Sequence, residues 1–132
     1  MRPVISPSVK WKKIDLLDEF YQIDPRLQFI LEDCARWVVA SGYDFVVTAL
    51  LSDAETDARL GRVSKSHQEG RAADVRCVGW PEEFIAKFIK FAEAAHGKDG
   101  AISAHDGQRR LVVFHNVGHG PHLHIQVSRR TK

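Results

Sequence analysis

The stretch HLHIQV, residues 122–127, alternates polar and apolar residues along its whole length. Successive side chains of a β-strand point to opposite faces of the sheet. The three aliphatic residues therefore share one face, while His122, His124 and Gln126 share the other. The pattern predicts a strand that buries one face in a core and projects two imidazoles together into a cleft.

A second short stretch, AADVR at residues 72–76, predicts a similar strand. Ala72 and Asp74 fall on one face, and the small Ala72 side chain leaves room beside the carboxylate. Gly70 lies just before this strand and permits a sharp turn, because glycine has no Cβ to restrict its backbone. We expect this turn to bring His67 back toward Asp74.

Two amphipathic helices are expected, one on each side of the AADVR strand. The segment 24–42 has Pro25 at a first-turn position, apolar residues at helical spacing and Gly42 at its end. The segment 81–97 begins with proline and acidic residues and ends at Gly97. Between them, 43–51 predicts a strand buried on both faces. The polar segment 52–70 is either a loop or a short helix followed by a loop.

Three further strands are predicted at 101–106, 110–116 and 122–128, with DGQR at 106–109 as a hairpin turn between the first two. Together these elements predict an α+β fold in which helices pack on a small, mainly antiparallel sheet. The chain has 132 residues, which is enough for one core and not for two. We therefore expect a single domain spanning residues 1–132.

Charge and hydropathy narrow the range of partners. A net charge of +2 predicts no strong attraction to nucleic acid or to a membrane surface, and no segment reaches the length of a membrane span. The N-terminal residues carry two prolines and no apolar run, so no signal peptide is expected. The expected product is a monomer made in the cytoplasm. Cys34 and Cys77 fit no metal-binding spacing and are interpreted as buried free thiols.

The histidines and Asp74 carry the chemistry. Two imidazoles and one carboxylate form the ligand set of a catalytic zinc site, which keeps a further position for water. His67, Asp74 and one member of the His122/His124 pair would supply the ligands, and the other histidine would be placed for proton transfer. The alternative is that these residues are separate surface, loop or capping residues with no shared role.

The remaining histidines have simpler interpretations. His96 falls in the last turn of a predicted helix, where a positive charge is favoured by the helix dipole. His105 and His115 lie near strand ends and are interpreted as surface residues. His119, in the sequence HGPH, is a candidate for a substrate-facing or supporting role beside the metal.

The motif His-x-x-Gly-x-Ala-x-Asp at 67–74, followed by His122-x-His124, resembles the zinc D-Ala-D-Ala carboxypeptidases and L-alanyl-D-glutamate endopeptidases. These enzymes share the hedgehog/DD-peptidase fold. The resemblance covers about residues 43–128 and leaves about 1–24 as an N-terminal extension. It implies that His67, Asp74 and His124 bind one Zn²⁺, which activates a water molecule as the nucleophile, and that His122 is the general base.

The resemblance also implies a substrate, a stem or crossbridge peptide of bacterial peptidoglycan. Compact members without signal peptides are common among phage lysis and tail-associated proteins, which reach the cell wall through phage-mediated release or as part of a virion. Hedgehog domains keep the zinc fold while acting as ligands, so a non-catalytic binding or structural module is the alternative. A histidine at position 122, beside the metal ligands, favours catalysis.

Two positions depart from the pattern of the resembling enzymes. Many of them carry Ser two residues before the first histidine, where this chain has Lys65. Many also carry an Arg after the first strand that holds a substrate carboxylate, and TALLSD in this chain has none. Arg59, Arg62 and Arg71 are candidates for that role. Carboxypeptidase and endopeptidase action both remain open.

Overall fold

The computed structural model describes residues 8–59, 65–102, 107–116 and 120–129. Its helices are α1 (Asp15–Phe20), α2 (Pro25–Ala40), α3 (Ala54–Arg59) and α4 (Glu82–His96), and a 3₁₀ turn, Gly97–Asp99, follows α4. Its strands are β1 (Val9–Trp11), β2 (Phe45–Ala49), β3 (Ala72–Arg76), β4 (Ala101–Ile102), β5 (Arg109–Arg110), β6 (Val112–Asn116) and β7 (Pro121–Gln126). The predicted α+β class is confirmed.

Five of these strands form one mixed sheet in the order β1-β2-β3-β7-β6. β1 runs parallel to β2, and the other three pairings are antiparallel. β4 and β5 form a separate two-stranded antiparallel ladder at the position of the predicted hairpin, but the single strand predicted at 110–116 is divided between β5 and β6, which belong to different sheets. Part of that hairpin turn, at Asp106, lies outside the described residues, as do His105, His119 and Arg62.

The two long helices form where the apolar spacing predicts them. Pro25 opens α2 behind Asp24, whose side chain accepts a hydrogen bond from the backbone N–H of Arg26 and so caps the helix. Trp37 of α2 stacks on Phe84 and on Phe91 of α4, with ring centroids 5.4 Å and 4.8 Å apart. Through these two ring stacks, Trp37 joins α2 to α4.

The core lies on one face of the sheet. Leu123 and Ile125 of β7 are completely buried, and Phe45 of β2 meets Phe88 of α4 with ring centroids 6.3 Å apart. The alternation in β7 is therefore realised as predicted. β2 is fully buried on this face only, because its other face, with Val46 and Thr48, is half-buried. The prediction of burial on both faces of β2 is thus correct for one face.

The N-terminal segment contributes to the fold beyond what the sequence indicated. β1 extends the sheet beside β2, and Phe20 of α1 is buried against Trp11, with ring centroids 5.4 Å apart. Glu19 of α1 accepts a hydrogen bond from the backbone N–H of Leu51 at 2.9 Å. Residues 9–20 therefore belong to the core and support the segment that follows β2.

Among the described residues, no helix combines the length and the apolar character that a bilayer crossing requires.

A turn at Gly70 leads the chain into β3. Its φ of +69° lies in the left-handed region, and a Cβ added here would lie 3.3 Å from the Cα of Ile23. The Gly70 carbonyl also accepts a hydrogen bond from the backbone N–H of Asp24 at 2.9 Å. Glycine is required here both for its backbone conformation and for the close approach of another segment.

We expect Gly70→Ala to destabilise the fold more than Gly107→Ala does. The φ of Gly107 is +70°, nearly the same, but a Cβ added there meets no described atom within 4 Å. The left-handed backbone should cost each variant about 1–2 kcal/mol, and crowding against Ile23 should cost Gly70→Ala about 1 kcal/mol more. Urea unfolding of both variants measures the difference; equal losses would show that the contact with Ile23 does not matter.

Candidate metal centre

Three segments bring the predicted ligands together. His67 lies in the turn before β3, Asp74 lies within β3, and His124 lies directly opposite Asp74 in the β3–β7 pairing. One nitrogen of each imidazole and one oxygen of the carboxylate all lie within 4.8 Å of one another. The structure thus assembles a group that could hold a metal ion from residues that are far apart in the sequence.

His67 is held with one nitrogen directed at the carboxylate. Its ring is 2% exposed, and its Nδ1–H donates to the carbonyl oxygen of Leu50 at 2.6 Å, since a carbonyl can only accept. In the neutral ring Nε2 then carries a lone pair, and it lies 3.3 Å from Oδ1 of Asp74. Among the described residues, this Nε2 is a buried atom that has no hydrogen-bond partner. A buried acceptor that faces another acceptor fits a cation placed between them.

His124 makes a contact on each side of its ring. Nδ1 lies 3.0 Å from Oδ1 of Asp74, and Nε2 lies 3.0 Å from Oε1 of Gln126. When Nε2 donates its hydrogen to Gln126, the Nδ1 lone pair also faces Asp74. The donor set then consists of two imidazole nitrogens and one carboxylate oxygen, a set suited to a divalent transition metal.

Asp74 remains ionised in this environment. Burial by itself raises the pKa of a carboxyl group, but the contacts with the His124 and His67 rings lower it by more than burial raises it. The pKa of Asp74 therefore lies well below its usual range.

A second row of side chains lies on the same face of the sheet, next to the Asp74–His124 pair along β3 and β7. Arg76 lies opposite His122, and His122 lies opposite His115, so that all three share one face. We call Arg76, His122 and His115 the basic row. The rings of His115 and His122 stack with centroids 5.3 Å apart, and His115 lies 6.1 Å from His124.

Two members of the basic row were not identified from the sequence. His115 is exposed, as predicted, but it lies beside the candidate ligands rather than apart from them. Burial and the charges of His122 and His124 lower the pKa of His115, while Asp74 acts in the opposite direction. Alternation along β6 could have placed His115 on a polar face. Its neighbours depend on the pairing with β7, which no local signal specifies.

Two of the arginines proposed from the sequence, Arg71 and Arg59, lie away from the candidate ligands. The guanidinium of Arg71 pairs with Glu69 at 2.7 Å and donates to the Val127 carbonyl oxygen at 2.7 Å. Arg59 ends α3 and is exposed. A role for Arg71 in binding substrate stays a prediction. Arg76, which the sequence interpretation did not consider, is the arginine that the sheet pairing places beside His122.

His96 and the two cysteines take no part in this group. His96 lies in the last turn of α4, as predicted, and its Nε2 lies 2.7 Å from Oδ2 of Asp33. Cys34 and Cys77 are buried free thiols, as predicted, and burial raises the pKa of Cys77 to about 11. These residues contribute to packing between elements rather than to the candidate metal centre.

Two surface grooves lie elsewhere on the molecule. One, of about 450 Å³, is bordered by Trp37 and Tyr43, and the other, of about 480 Å³, by Phe29 and His96. Neither is lined by a candidate metal ligand. The convergence of polar side chains, rather than the size of a cavity, therefore marks the candidate site.

Comparisons with protein-family models, curated proteins and solved structures return no match for this chain.

We expect the purified chain to bind about one zinc ion, and His67→Ala, Asp74→Ala and His124→Ala each to lose it. Removing one ligand leaves two, which hold zinc far more weakly than three. Elemental analysis after dialysis measures the metal content. His96→Gln is the matched control, because it alters a buried histidine outside the group and should keep the metal. A fully loaded Asp74→Ala variant would remove Asp74 from the ligand set.

Proposed function

We propose that this chain is a zinc-dependent peptidase with a hedgehog/DD-peptidase-like fold that hydrolyses peptides of bacterial peptidoglycan. The observation that carries the proposal is the convergence of His67 Nε2, Asp74 Oδ1 and His124 Nδ1 beside two further imidazoles. A site that only stabilised the fold would need no additional imidazoles at its open side. When bound, zinc would supply Lewis-acid activation of water and of the peptide carbonyl.

His122 is the proposed general base. It lies on the same face as His124, two residues along β7, and it is half-buried rather than enclosed. Its Nδ1–H donates to the Gly120 carbonyl oxygen at 3.4 Å, which leaves the Nε2 lone pair to accept a proton. The same nitrogen would later return the proton to the leaving amine.

His115 would assist by its position against His122. The stacked rings cannot both carry a positive charge without repulsion, and burial and the charges of His122 and His124 lower the pKa of His115. His115 can hold a hydrogen bond to the substrate or to a water molecule on this side of the site. The pair thus places a second imidazole beside the proposed proton acceptor.

The proposed substrate class rests on the family resemblance and on one feature of the polar face. Arg76 is exposed, and the arginines that form salt bridges within the described residues are others: Arg26, Arg36, Arg71 and Arg129. A guanidinium beside His122 that forms no salt bridge with the described residues is suited to bind a carboxylate. Stem peptides of peptidoglycan carry carboxylates next to their D-amino acids. We therefore propose that Arg76 takes the role for which Arg59, Arg62 and Arg71 were considered.

We expect His122→Asn to keep zinc and to lower kcat/KM for a synthetic stem peptide by about a hundredfold to ten-thousandfold, the usual contribution of a general base. Metal content and peptide hydrolysis are measured on the same preparation, with chelator-treated parent as the blank. The His96→Gln variant serves as control and should hydrolyse at the parent rate. Parental hydrolysis by His122→Asn would refute the assignment of the base. A zinc-loaded parent that hydrolyses no murein peptide would favour a binding module.

We expect Arg76→Gln to remove a preference for peptides with a free carboxylate. The measurement compares kcat/KM for a stem peptide with a C-terminal carboxylate and for its C-terminal amide. The ratio should fall by about tenfold or more, since a charged hydrogen bond is lost. Arg36→Gln removes the same charge from an exposed position on α2 and should leave the ratio unchanged. An unaltered ratio in Arg76→Gln would show that the carboxylate is bound elsewhere.

A further inference from the structure

Gln126 contacts the outer nitrogen of a candidate ligand. Its Oε1 lies 3.0 Å from Nε2 of His124, on the side of the ring away from Asp74. Gln126 follows His124 by two residues in β7, so the two side chains share the polar face. The residue opposite Gln126 in β3 is Ala72.

The contact bears on which nitrogen of His124 carries the hydrogen. A neutral imidazole has one N–H, and the ring lies between two acceptors, the Asp74 carboxylate and the Gln126 carbonyl oxygen. If Nδ1 carried the hydrogen, it would donate to Asp74 and could not bind a metal. If Nε2 carries it, Gln126 accepts the hydrogen bond and the Nδ1 lone pair is free.

His67 shows the same arrangement with a different partner. Its Nδ1–H donates to the backbone carbonyl oxygen of Leu50, which leaves Nε2 directed at Asp74. In this form, each imidazole has one nitrogen that donates to an acceptor away from Asp74 and one nitrogen whose lone pair faces Asp74. The partner of His67 is backbone and cannot be altered by substitution, whereas the partner of His124 is a side chain.

We propose that Gln126 is a positioning residue that holds His124 in the Nε2–H form and thereby makes Nδ1 available to the metal. The proposal rests on the metal site of the proposed function but not on hydrolysis. It assigns Gln126 a role that neither the spacing of the histidines nor the family resemblance indicated. Partners of this kind orient a ligand ring and raise its basicity, and their loss typically weakens metal binding by 10–100-fold.

The test compares Gln126→Leu, which removes the acceptor at similar size, with Gln126→Glu, which keeps an acceptor at similar length. Zinc affinity is measured by competition with a chromophoric chelator. We expect about 10–100-fold weaker binding in Gln126→Leu and affinity at or above that of the parent in Gln126→Glu. Gln28→Leu is the matched control, because Gln28 is also half-buried and hydrogen-bonded but lies on α2. Its zinc affinity should equal that of the parent.

A second measurement separates this role from a general loss of structure. Nitrogen-15 shifts of the His124 ring report which nitrogen carries the hydrogen, in the zinc-loaded chain and in the metal-free chain at a pH where the ring is neutral. Compared with the parent, Gln126→Leu should show a smaller Nε2–H fraction without zinc and a rapidly exchanging Nε2–H with zinc. Gln126→Glu should restore both properties.

The outcomes distinguish the two proposals. Equal Nε2–H fractions in the parent and Gln126→Leu, or equal zinc affinities, would overturn the role of Gln126 while leaving the peptidase proposal intact. A parent chain that binds no zinc would overturn the proposed function. In that case the metal-free comparison of the His124 ring still decides whether Gln126 controls its hydrogen.

Discussion

The antiparallel pairing of β3 with β7 is the interaction on which both the core and the candidate metal centre depend. It places Asp74 opposite His124 on one face, while Leu123 and Ile125 are completely buried on the other. A slip of one residue would turn the aliphatic side chains to the open face and the histidines into the core. Burying each aliphatic side chain is worth about 1.5–3 kcal/mol, so core formation specifies the register that brings the ligands together.

The same pairing creates an electrostatic demand that a cation satisfies. A carboxylate that is mostly removed from water requires a positive partner, and here it faces imidazole nitrogens on two sides. The Leu50 carbonyl accepts a hydrogen bond from His67, and the Gln126 amide accepts one from His124. The remaining nitrogen of each ring then directs its lone pair at Asp74. Leu50 in turn lies beside Leu51, whose N–H is held by Glu19 of α1. The N-terminal segment therefore supports the candidate metal centre indirectly.

The sequence predicted the long helices and the alternating strands well, because their signals are local. Asp24 and Pro25 mark the start of α2, and the alternation at 122–127 marks β7. β1 and α1 were not predicted, since elements of three and six residues carry too little periodicity to be recognised. Their formation depends on contacts with β2 and with Leu51 just after it, which are distant in the chain.

The basic row shows where sequence reasoning reaches its limit. Arg76 and His115 lie in different strands, and each reaches His122 only through pairing with β7. Nothing near His115 in the sequence distinguishes it from an ordinary surface histidine at the end of a strand. Side-chain alternation gives the face of a residue, whereas its cross-strand neighbours follow from the order and register of the strands.

The sequence by itself determined the chemistry that was available: two strands with polar faces, a glycine turn between His67 and Asp74, and two histidines on one strand face. These features follow from local backbone geometry. The tertiary structure decided which histidine meets Asp74, which residues stand behind and beside the ligands, and that residues 9–20 join the core. Such contacts join distant segments, and they are set by the burial of apolar side chains across the whole sheet.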